Sequence, residues 1–189
     1  MFGRSSEKSR RVEARVDRRD SFEDLILPHL NAAYNLARWL TRNEQDAEDV
    51  VQEAYLRAYS SFDTFQPERD GRGWMLRIVQ NTCYTWLRKN RPNELRTGMD
   101  DFGHEALSPL PDPEVELLRR TSSDVMRKAI EELPIEFREV IILRELEELS
   151  YSEIARILDI PKGTVMSRLS RGRAELQRKV SRTAIGKTV

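Results

Sequence analysis

Apolar residues recur every three to four positions along most of this chain, which is the spacing of one face of an α-helix. Between residues 22 and 87 the sequence carries three such stripes, at 22–40, 47–58 and 74–87. The third stripe comprises Trp74, Ile78, Thr82 and Trp86, with Leu87 beside it. No alternating run is long enough for a strand of a sheet. The pattern therefore predicts an all-α protein.

A segment without any stripe divides the helical pattern. Residues 93–113 contain two glycines and three prolines and no helical periodicity, a composition typical of a linker. The pattern resumes near Glu114 and is interrupted at Pro134. The length of 189 residues fits two small domains. We expect helical domains at 21–92 and 114–182, a flexible linker at 93–113, and tails at 1–20 and 183–189.

Charge is segregated along the chain although the totals cancel. The chain has 32 basic and 32 acidic residues. Residues 66–91 hold six Lys/Arg against two acids, 93–116 hold seven acids against one Arg, and 162–182 hold seven Lys/Arg against one Glu. Two basic blocks on either side of an acidic stretch indicate two nucleic-acid-facing modules. The basic segment 1–20 is either a flexible tail or a non-specific DNA-binding arm.

Several classes of protein do not fit this sequence. The longest apolar run is four residues, so no membrane insertion and no signal peptide are expected. One cysteine and two histidines offer little for a zinc site, and no metal or other cofactor is expected. Neither a nucleophile–base set nor a Gly-rich phosphate loop is visible, which disfavours an enzyme with catalytic residues. A cytoplasmic location is the default expectation.

The sharpest local pattern is a helix-turn-helix in the last third of the chain. Ser150 and Glu153 have the spacing of a capping box that opens a short helix ending at Leu158. A tight turn at 159–162 precedes a longer helix over 163–179. The inward positions of that helix leave donors facing outward near its N-terminal half, where a recognition helix reaches base edges. The alternative is an amphipathic surface helix with a solvated basic face.

Two further patterns lie in the first half of the chain. On a helix, Asp46, Asp49 and Glu53 share one face, which would repel a phosphate backbone and suit a basic protein partner; a solvated acidic face is the alternative. Aromatic and Arg residues then alternate through residues 62–91, a composition typical of single-strand binding. Phe62, Trp74 and Trp86 are more simply core residues, whereas the loop 66–72 is the better candidate for a base pocket.

Three segments together carry a family resemblance: DAEDVVQEAYLRAYSSFDTF (46–65), WMLRIVQNTCYTWLRKNRP (74–92) and ELSYSEIARILDIPKGTVMSRLSRGRAEL (148–176). In series they resemble a bacterial RNA polymerase sigma factor of the extracytoplasmic-function (group 4) type. The resemblance implies a region 2 domain that binds the polymerase and opens the −10 element. It also implies a region 4 domain that reads the −35 element.

The same resemblance implies a role for individual residues. The polymerase-facing set is Asp46, Asp49, Gln52 and Glu53. The −10 DNA set is Phe65, Gln66, Arg69, Arg72, Trp74, Arg77, Asn81, Tyr84 and Arg88. The −35 DNA set is Lys162, Thr164, Met166, Ser167, Arg168, Ser170 and Arg171, with Arg171 expected to read a guanine. Thr85, Met166 and Ser170 differ from the residues common at these positions in the family, so the promoter sequence does not follow from the resemblance.

The partners implied are core RNA polymerase and promoter DNA. On the polymerase, the expected contacts are the coiled coil of the largest subunit and the flap of the second-largest. A further expected partner is an anti-sigma factor, which would hold the chain inactive and could retain it at the membrane. The active chain is expected at the nucleoid. Two alternatives from other classes stay open: a helix-turn-helix regulator with an N-terminal sensing domain, and a helical protein-interaction module.

Overall fold

The structure, a computed structural model, describes residues 21–65, 70–95 and 117–185, with side chains at 124–182 in the last range. Within these ranges the chain is helical and contains no strand. The helices are α1 (residues 21–26), α2 (Leu30–Thr41), α3 (Glu44–Ser61), α4 (Gly71–Asn90), α5 (Leu117–Glu131), α6 (Ile135–Ile141), α7 (Tyr151–Leu158) and α8 (Lys162–Ile185). Short 3₁₀ turns lie at Leu27–His29, Phe62–Thr64 and Pro92–Leu95, and a π-helical segment lies at Ile142–Leu146. The all-α prediction is confirmed.

The N-terminal domain is a bundle in which α2, α3 and α4 pack against one another. The first two apolar stripes form its core as predicted, apart from Leu30, which is exposed, and Tyr55, which is half-buried. The third stripe was predicted correctly for Thr82 and Leu87, which are buried, and wrongly for its other three members. The fully buried face of α4 comprises Met75, Leu76, Val79, Cys83 and Leu87, while Trp74, Ile78 and Trp86 are only partly buried. The prediction failed because α4 meets the bundle on one face and α7 on another, so two stripes overlap in its sequence.

The C-terminal domain is built from α5 to α8. Pro134 is the N-cap residue of α6, which confirms the predicted interruption. The last helix is longer than predicted: it begins at Lys162 and extends to Ile185, into the predicted tail. At the N-terminal end of the predicted linker, residues 93–95 belong to the 3₁₀ turn that packs against α4. The rest of the predicted linker, residues 96–113, lies outside the described residues.

The two domains contact each other through α2 with α6 and α4 with α7. The buried guanidinium of Arg138 donates to the backbone carbonyls of Trp39 (3.2 Å) and Leu40 (3.4 Å), near the end of α2. Arg42 in turn donates to the carbonyl of Glu131, the last residue of α5, at 3.2 Å. Each domain therefore supplies an arginine to unsatisfied carbonyls at a helix end of the other. Burial lowers the pKa of Arg138 to about 10.

None of the helices in the described ranges is long and apolar enough to cross a membrane.

Candidate nucleic-acid and protein interfaces

The acidic face of α3 is present as predicted, but its members differ in availability. Asn43 caps the helix by accepting a hydrogen bond from the backbone N–H of Asp46 at 3.0 Å. The carboxylate of Asp46 is paired with Arg91 at 3.1 Å, which ties the start of α3 to the end of α4. Asp49, Gln52 and Glu53 are exposed. Glu53 pairs along its own helix, with Arg57 at 2.8 Å.

Leu56 belongs to the same face and was missed by the sequence reasoning. It follows Asp49, Gln52 and Glu53 at helical spacing of seven, four and three residues, and its side chain is 62% exposed. A large apolar side chain beside exposed carboxylates forms a mixed surface suited to a protein partner. The signal available in the sequence was its absence from the apolar stripe of α3, which runs through Ala47, Val50, Ala54 and Ala58.

The predicted −10 residues lie along one side of α4. Asp70 caps this helix, accepting from the N–H groups of Arg72 (3.0 Å) and Gly73 (3.1 Å). Arg77, Asn81 and Arg88 are exposed at intervals of four and seven residues, with Tyr84 half-buried among them. Gln66 and Arg69, also predicted to bind −10 DNA, lie outside the described residues. Of the predicted base-capturing loop, residues 66–72, the structure describes residues 70–72.

Aromatic rings at the start of α4 form a cluster rather than an open stacking platform. The ring of Phe65 lies 5.8 Å from Phe62 and 5.0 Å from Trp74, centroid to centroid, and Phe65 is 8% exposed. The expected contact of Phe65 with DNA therefore does not match its placement: its ring is covered in this structure. Trp74 is half-buried by the same contacts and packs against the core without being part of its buried face.

The helix-turn-helix follows the predicted design closely. The hydroxyl of Ser150 accepts from the N–H of Glu153, and the Glu153 carboxylate accepts from the N–H of Ser150 at 2.7 Å. These bonds lower the pKa of Glu153. Asp159 ends α7 in the left-handed conformation (φ 56°), which Asp tolerates better than most residues. The turn then delivers the chain to the start of α8 at Lys162.

α8 crosses α6 at Gly172, where α8 has no side chain. A Cβ on Gly172 would lie 3.0 Å from Cδ1 of Ile141 and 3.2 Å from Cβ of Phe137. Val165 and Leu169 are buried on the same side. This packing turns the opposite side of α8 to the solvent.

Most of the predicted −35 set lies on that outer side. Lys162, Ser167, Ser170 and Arg171 are exposed, and Met166 is 52% exposed. Thr164 is half-buried. Arg168, also predicted to bind −35 DNA, is instead half-buried, and its guanidinium is paired with Glu139 at 3.1 Å. Exposed donors and a thioether near the N-terminal half of a long helix are suited to the major groove.

Glu139 lies at the centre of the contact between the domains. Its carboxylate accepts from the Tyr84 hydroxyl at 2.9 Å and from Gln80 at 3.4 Å, both on α4, in addition to Arg168 on α8. Burial raises the pKa of Glu139 to about 7, against the opposing effect of these hydrogen bonds and of Arg168. Burial likewise raises the pKa of Tyr84.

Two more carboxylates of the C-terminal domain meet the predicted −10 residues. Glu147 accepts from Arg72 at 2.6 Å and from Asn35 at 3.5 Å. Asp159 pairs with Arg77 at 3.1 Å, and Arg77 also donates to the carbonyl of Arg156. No pattern in the sequence pointed to these pairs, which join residues more than seventy positions apart. Within the described ranges, no group of three or more His, Cys, Asp or Glu is placed to hold a metal ion.

Comparison with known proteins finds two family profiles, in the order of the two domains. Sigma-70 region 2 matches residues 25–92, and sigma-70 region 4 matches residues 123–176. The chain is 32% identical to the ECF RNA polymerase sigma factor SigW of Bacillus subtilis (strain 168), over 92% of this chain and 96% of that protein. It is 37% identical to the ECF RNA polymerase sigma-E factor of Escherichia coli (strain K12), over 71% of this chain and 74% of that protein.

Solved structures with the same fold agree with these matches. The sigma factor RpoE of Bartonella quintana, in complex with the anti-sigma factor NepR, is similar with a TM-score of 0.65 and 27% identity, covering 85% of this chain and 97% of that one. CnrH, in complex with the cytosolic domain of CnrY, is similar with a TM-score of 0.62 and 26% identity, covering 86% of this chain and 89% of that one.

Proposed function

The chain belongs to the extracytoplasmic-function type of sigma-70 factors, and from that premise we propose that it binds core RNA polymerase, reads the −35 and −10 promoter elements and opens the −10 DNA. The observation that carries the proposal is the presence of two kinds of surface in one chain. An exposed acidic and apolar face lies on α3, and an exposed polar and basic face lies on the recognition helix α8. The role is regulatory rather than catalytic.

Core polymerase binds the face of α3 formed by Asp49, Gln52, Glu53 and Leu56. Carboxylates steer a basic partner and set its register, while the exposed leucine supplies apolar area at the centre of the contact. Asp46 contributes mainly by its pair with Arg91, which fixes the start of α3 against α4. The expected counterpart on the polymerase is the coiled coil of the largest subunit. The C-terminal domain is expected to meet the flap of the second-largest subunit.

The side of α4 that carries Arg72, Arg77, Asn81, Tyr84 and Arg88 is proposed to hold the opened −10 DNA. Arginine planes and a tyrosine ring suit a single strand, since they pair with phosphates and stack on bases. The loop that ends at Asp70 is proposed to take one unstacked base, with Gln66 and Arg69 as its polar residues. Phe65 supports that loop through its contacts with Phe62 and Trp74.

The outer side of α8 is proposed to read the −35 element in the major groove. Arg171 is the proposed guanine reader because it is exposed and lies between the buried positions Leu169 and Gly172. Met166, Ser167 and Ser170 line the same side and would contact neighbouring base edges. Lys162 and Thr164, at the start of the helix, would contact phosphates.

An anti-sigma partner and a cytoplasmic location form part of the proposal. Both similar structures named above hold a second protein, an anti-sigma factor in the case of RpoE. A polymerase-binding face that is exposed in the free chain offers such a partner a surface. Binding to the nucleoid when active, and retention at the membrane through the partner, follow as expectations.

Transcription in vitro with purified core polymerase tests the proposal. The chain alone should support promoter-specific transcripts from genomic fragments, whose 5′ ends then define the −10 and −35 positions. A helix-turn-helix regulator of the ordinary kind would need another sigma factor, so transcripts that depend on an added sigma factor would contradict the proposal. A helical protein-interaction module would yield no promoter-specific transcripts with core polymerase.

The polymerase-binding face has its own test. Asp49→Lys with Glu53→Lys should weaken core polymerase binding by about tenfold or more, because charge reversal at a docking surface introduces repulsion. A matched control is Asp124→Lys with Glu145→Lys, which makes the same change of charge at two exposed carboxylates of the C-terminal domain. Binding is measured by competition with a second sigma factor. Equal losses in both variants would argue against this face.

A further inference from the structure

We propose that Met166 on α8 selects a thymine in the −35 element by packing its side chain against the C5-methyl group of that base. The inference rests on the proposed function, because it takes the outer side of α8 as the −35 surface. It deepens that function by assigning one base to one apolar side chain. Met166 differs from the residues common at this position in the family, so the assignment does not follow from the family resemblance.

Met166 projects from the side of α8 that faces away from the rest of the domain. Its neighbours Val165 and Leu169 are buried, whereas Met166 is 52% exposed. Lys162 and Ser170, four residues before and after it, are exposed on the same face of the helix. Single exposed apolar residues are common on protein surfaces, so the inference depends on what surrounds Met166.

The centre of the exposed face of α8 consists of small residues. They recur at intervals of four, three and four residues and are all exposed: Gly163, Ser167, Ser170 and Ala174. Within the described part of the chain, a Cβ built on Gly163 would meet no neighbouring atom within 4 Å. Small side chains let a helix backbone lie deep in a major groove, which is about 12 Å wide. The longer side chains of Met166 and Arg171 flank this strip and can reach base edges on either side of it.

Two polar groups that border Met166 are engaged within the protein. The Ser167 hydroxyl donates to the carbonyl of Thr164 at 3.0 Å, so towards a base it can only accept. Arg173, seven residues after Met166 and on the same edge of the face, is paired with Glu145 at 2.6 Å. The thioether side chain is therefore the group that this part of α8 offers to a base.

The major groove presents an apolar group that matches this side chain. Thymine carries its C5-methyl group beside the O4 acceptor, and the other three bases carry no methyl group there. A thioether has no hydrogen to donate and is a weak acceptor, so it gains little from the polar atoms of a base edge. Its flexible and polarisable chain packs well against an irregular apolar surface. Met166 therefore favours thymine over the other bases.

The test replaces thymine by uracil, which lacks only the methyl group. Each thymine of the mapped −35 element, on either strand, is replaced singly in duplex promoter DNA, and the affinity of the holoenzyme is measured by competition. With the wild-type chain, one replacement should weaken binding by about fourfold, the effect of losing the burial of one methyl-sized group. With Met166→Ala, the same replacement should leave the affinity unchanged.

Two further substitutions at this position separate apolar contact from side-chain length. Met166→Leu keeps an apolar side chain and should retain most of the loss at uracil. Met166→Gln has a similar length but a polar end, and it should show no loss at uracil. Should circular dichroism show that Met166→Ala has lost helix, the comparison of these two variants decides.

Met126→Ala is the matched control. It makes the same substitution at a methionine of α5 that is 41% exposed and lies outside the proposed DNA surface. This variant should keep the full loss at uracil. A wild-type chain that tolerates uracil at every position of the −35 element would overturn the role of Met166. The same conclusion follows if Met166→Ala loses as much affinity at uracil as wild type.

Transcription by the same holoenzyme preparations distinguishes this inference from the proposed function. A wild-type chain that gives no promoter-specific transcripts with core polymerase would contradict the proposed function itself. A wild-type chain that transcribes from the mapped promoter but is indifferent to uracil would contradict the assignment of Met166 alone.

Discussion

Glu139 shows how much one side chain can connect in this molecule. It lies on the short helix α6, and its carboxylate meets Tyr84 and Gln80 of the N-terminal domain and Arg168 of α8. A buried carboxylate is costly in its charged form unless it is paired and hydrogen-bonded. The three partners supply that compensation only partly, because the pKa of Glu139 is still raised, to about 7.

This raised pKa makes stability depend on pH in a defined direction. The folded chain holds a proton on Glu139 up to about pH 7, whereas the ordinary glutamate value is 4.5. The stability contributed by this proton is fully present below pH 4.5 and is lost as the pH rises through 7. Glu136, whose pKa burial also raises, acts in the same sense, while Arg168 opposes both.

Glu139→Gln removes this titration and should flatten the profile. Urea unfolding between pH 5 and 8 should show wild type losing stability relative to the variant, by up to about 3 kcal/mol. Glu145→Gln, an exposed carboxylate paired with Arg173, is the control and should follow wild type. A constant difference between Glu139→Gln and wild type across the range would show that Glu139 is charged throughout.

Arg171 is the residue on which promoter preference should depend most directly. A bidentate contact with guanine is worth roughly 1–3 kcal/mol of discrimination, so Arg171→Ala should cost about tenfold or more at the mapped promoter. The preference of the variant for one particular base should weaken at a single −35 position. Arg178→Ala is the comparison, because Arg178 pairs with Glu175 farther along α8 and would contact phosphate. It should weaken all sequences alike and reduce the salt dependence.

The measurement for this pair is binding of the holoenzyme to every single-base variant of the −35 element at two salt concentrations. If Arg171→Ala weakens all variants equally, Arg171 contacts the backbone, and Ser167 or Lys162 becomes the better candidate reader.

At the scale of the elements, the position of α8 depends on its close packing against α6. The two helices approach closely only because Gly172 presents no side chain to Phe137 and Ile141. An added methyl would press against the Cβ of Phe137, which moves only with its backbone. The exposed face of α8 keeps its orientation through this contact, so a defect in packing there would also tilt the recognition surface.

Gly172→Ala should therefore lower the free energy of unfolding by about 1 kcal/mol, the cost of overpacking exceeding the gain in helix propensity. Gly163→Ala, on the same helix with nothing within 4 Å of the added carbon, should raise it by up to about 1 kcal/mol. Thermal unfolding of both variants against wild type provides the measurement. A stabilised Gly172→Ala would mean that α6 shifts readily to accept the methyl.

At the scale of the whole molecule, the chain contains two domains that sequence reasoning treats as separate and the structure brings together. Their contact combines two exchanged arginines, Arg42 and Arg138, with the polar pairs of Glu139, Glu147 and Asp159. One cluster of buried apolar residues also runs through both domains. The assignment of residues 96–113 to a tether stays a prediction from composition, whereas residues 93–95 belong to the 3₁₀ turn that packs against α4.

Limited proteolysis should cut first between residues 93 and 112, as the composition of that segment predicts. At low salt and neutral pH the two fragments should then co-elute in gel filtration, because the contact between the domains outlasts the cut. In the variant Glu147→Lys with Asp159→Asn, which loses the pairs with Arg72 and Arg77, they should separate. Fragments of the wild type that separate at once would show that the tether alone keeps the domains together.

The sequence by itself determined what depends on neighbours along the chain. Helical periodicity, the capping box at Ser150 and Glu153, the stop at Pro134 and the donors spaced along α8 are local patterns, and the structure contains each of them. The exposed acidic face of α3 was predictable for the same reason. The exposure of Leu56 could also have been predicted, because Leu56 lies outside the apolar stripe of α3.

Only the tertiary structure decided which charges meet. The partners of Arg72, Arg77 and Tyr84 lie from 55 to 82 positions away, and nothing local marks Glu139, Glu147 or Asp159 as their acceptors. The face of α4 was misjudged for a related reason, since that helix packs against its own bundle and against α7 at once. Helical periodicity in a sequence predicts that a side chain is buried, but it does not predict which element buries it. Burial is the summed effect of all neighbouring residues, whereas an ion pair or hydrogen bond depends on the position of one particular partner.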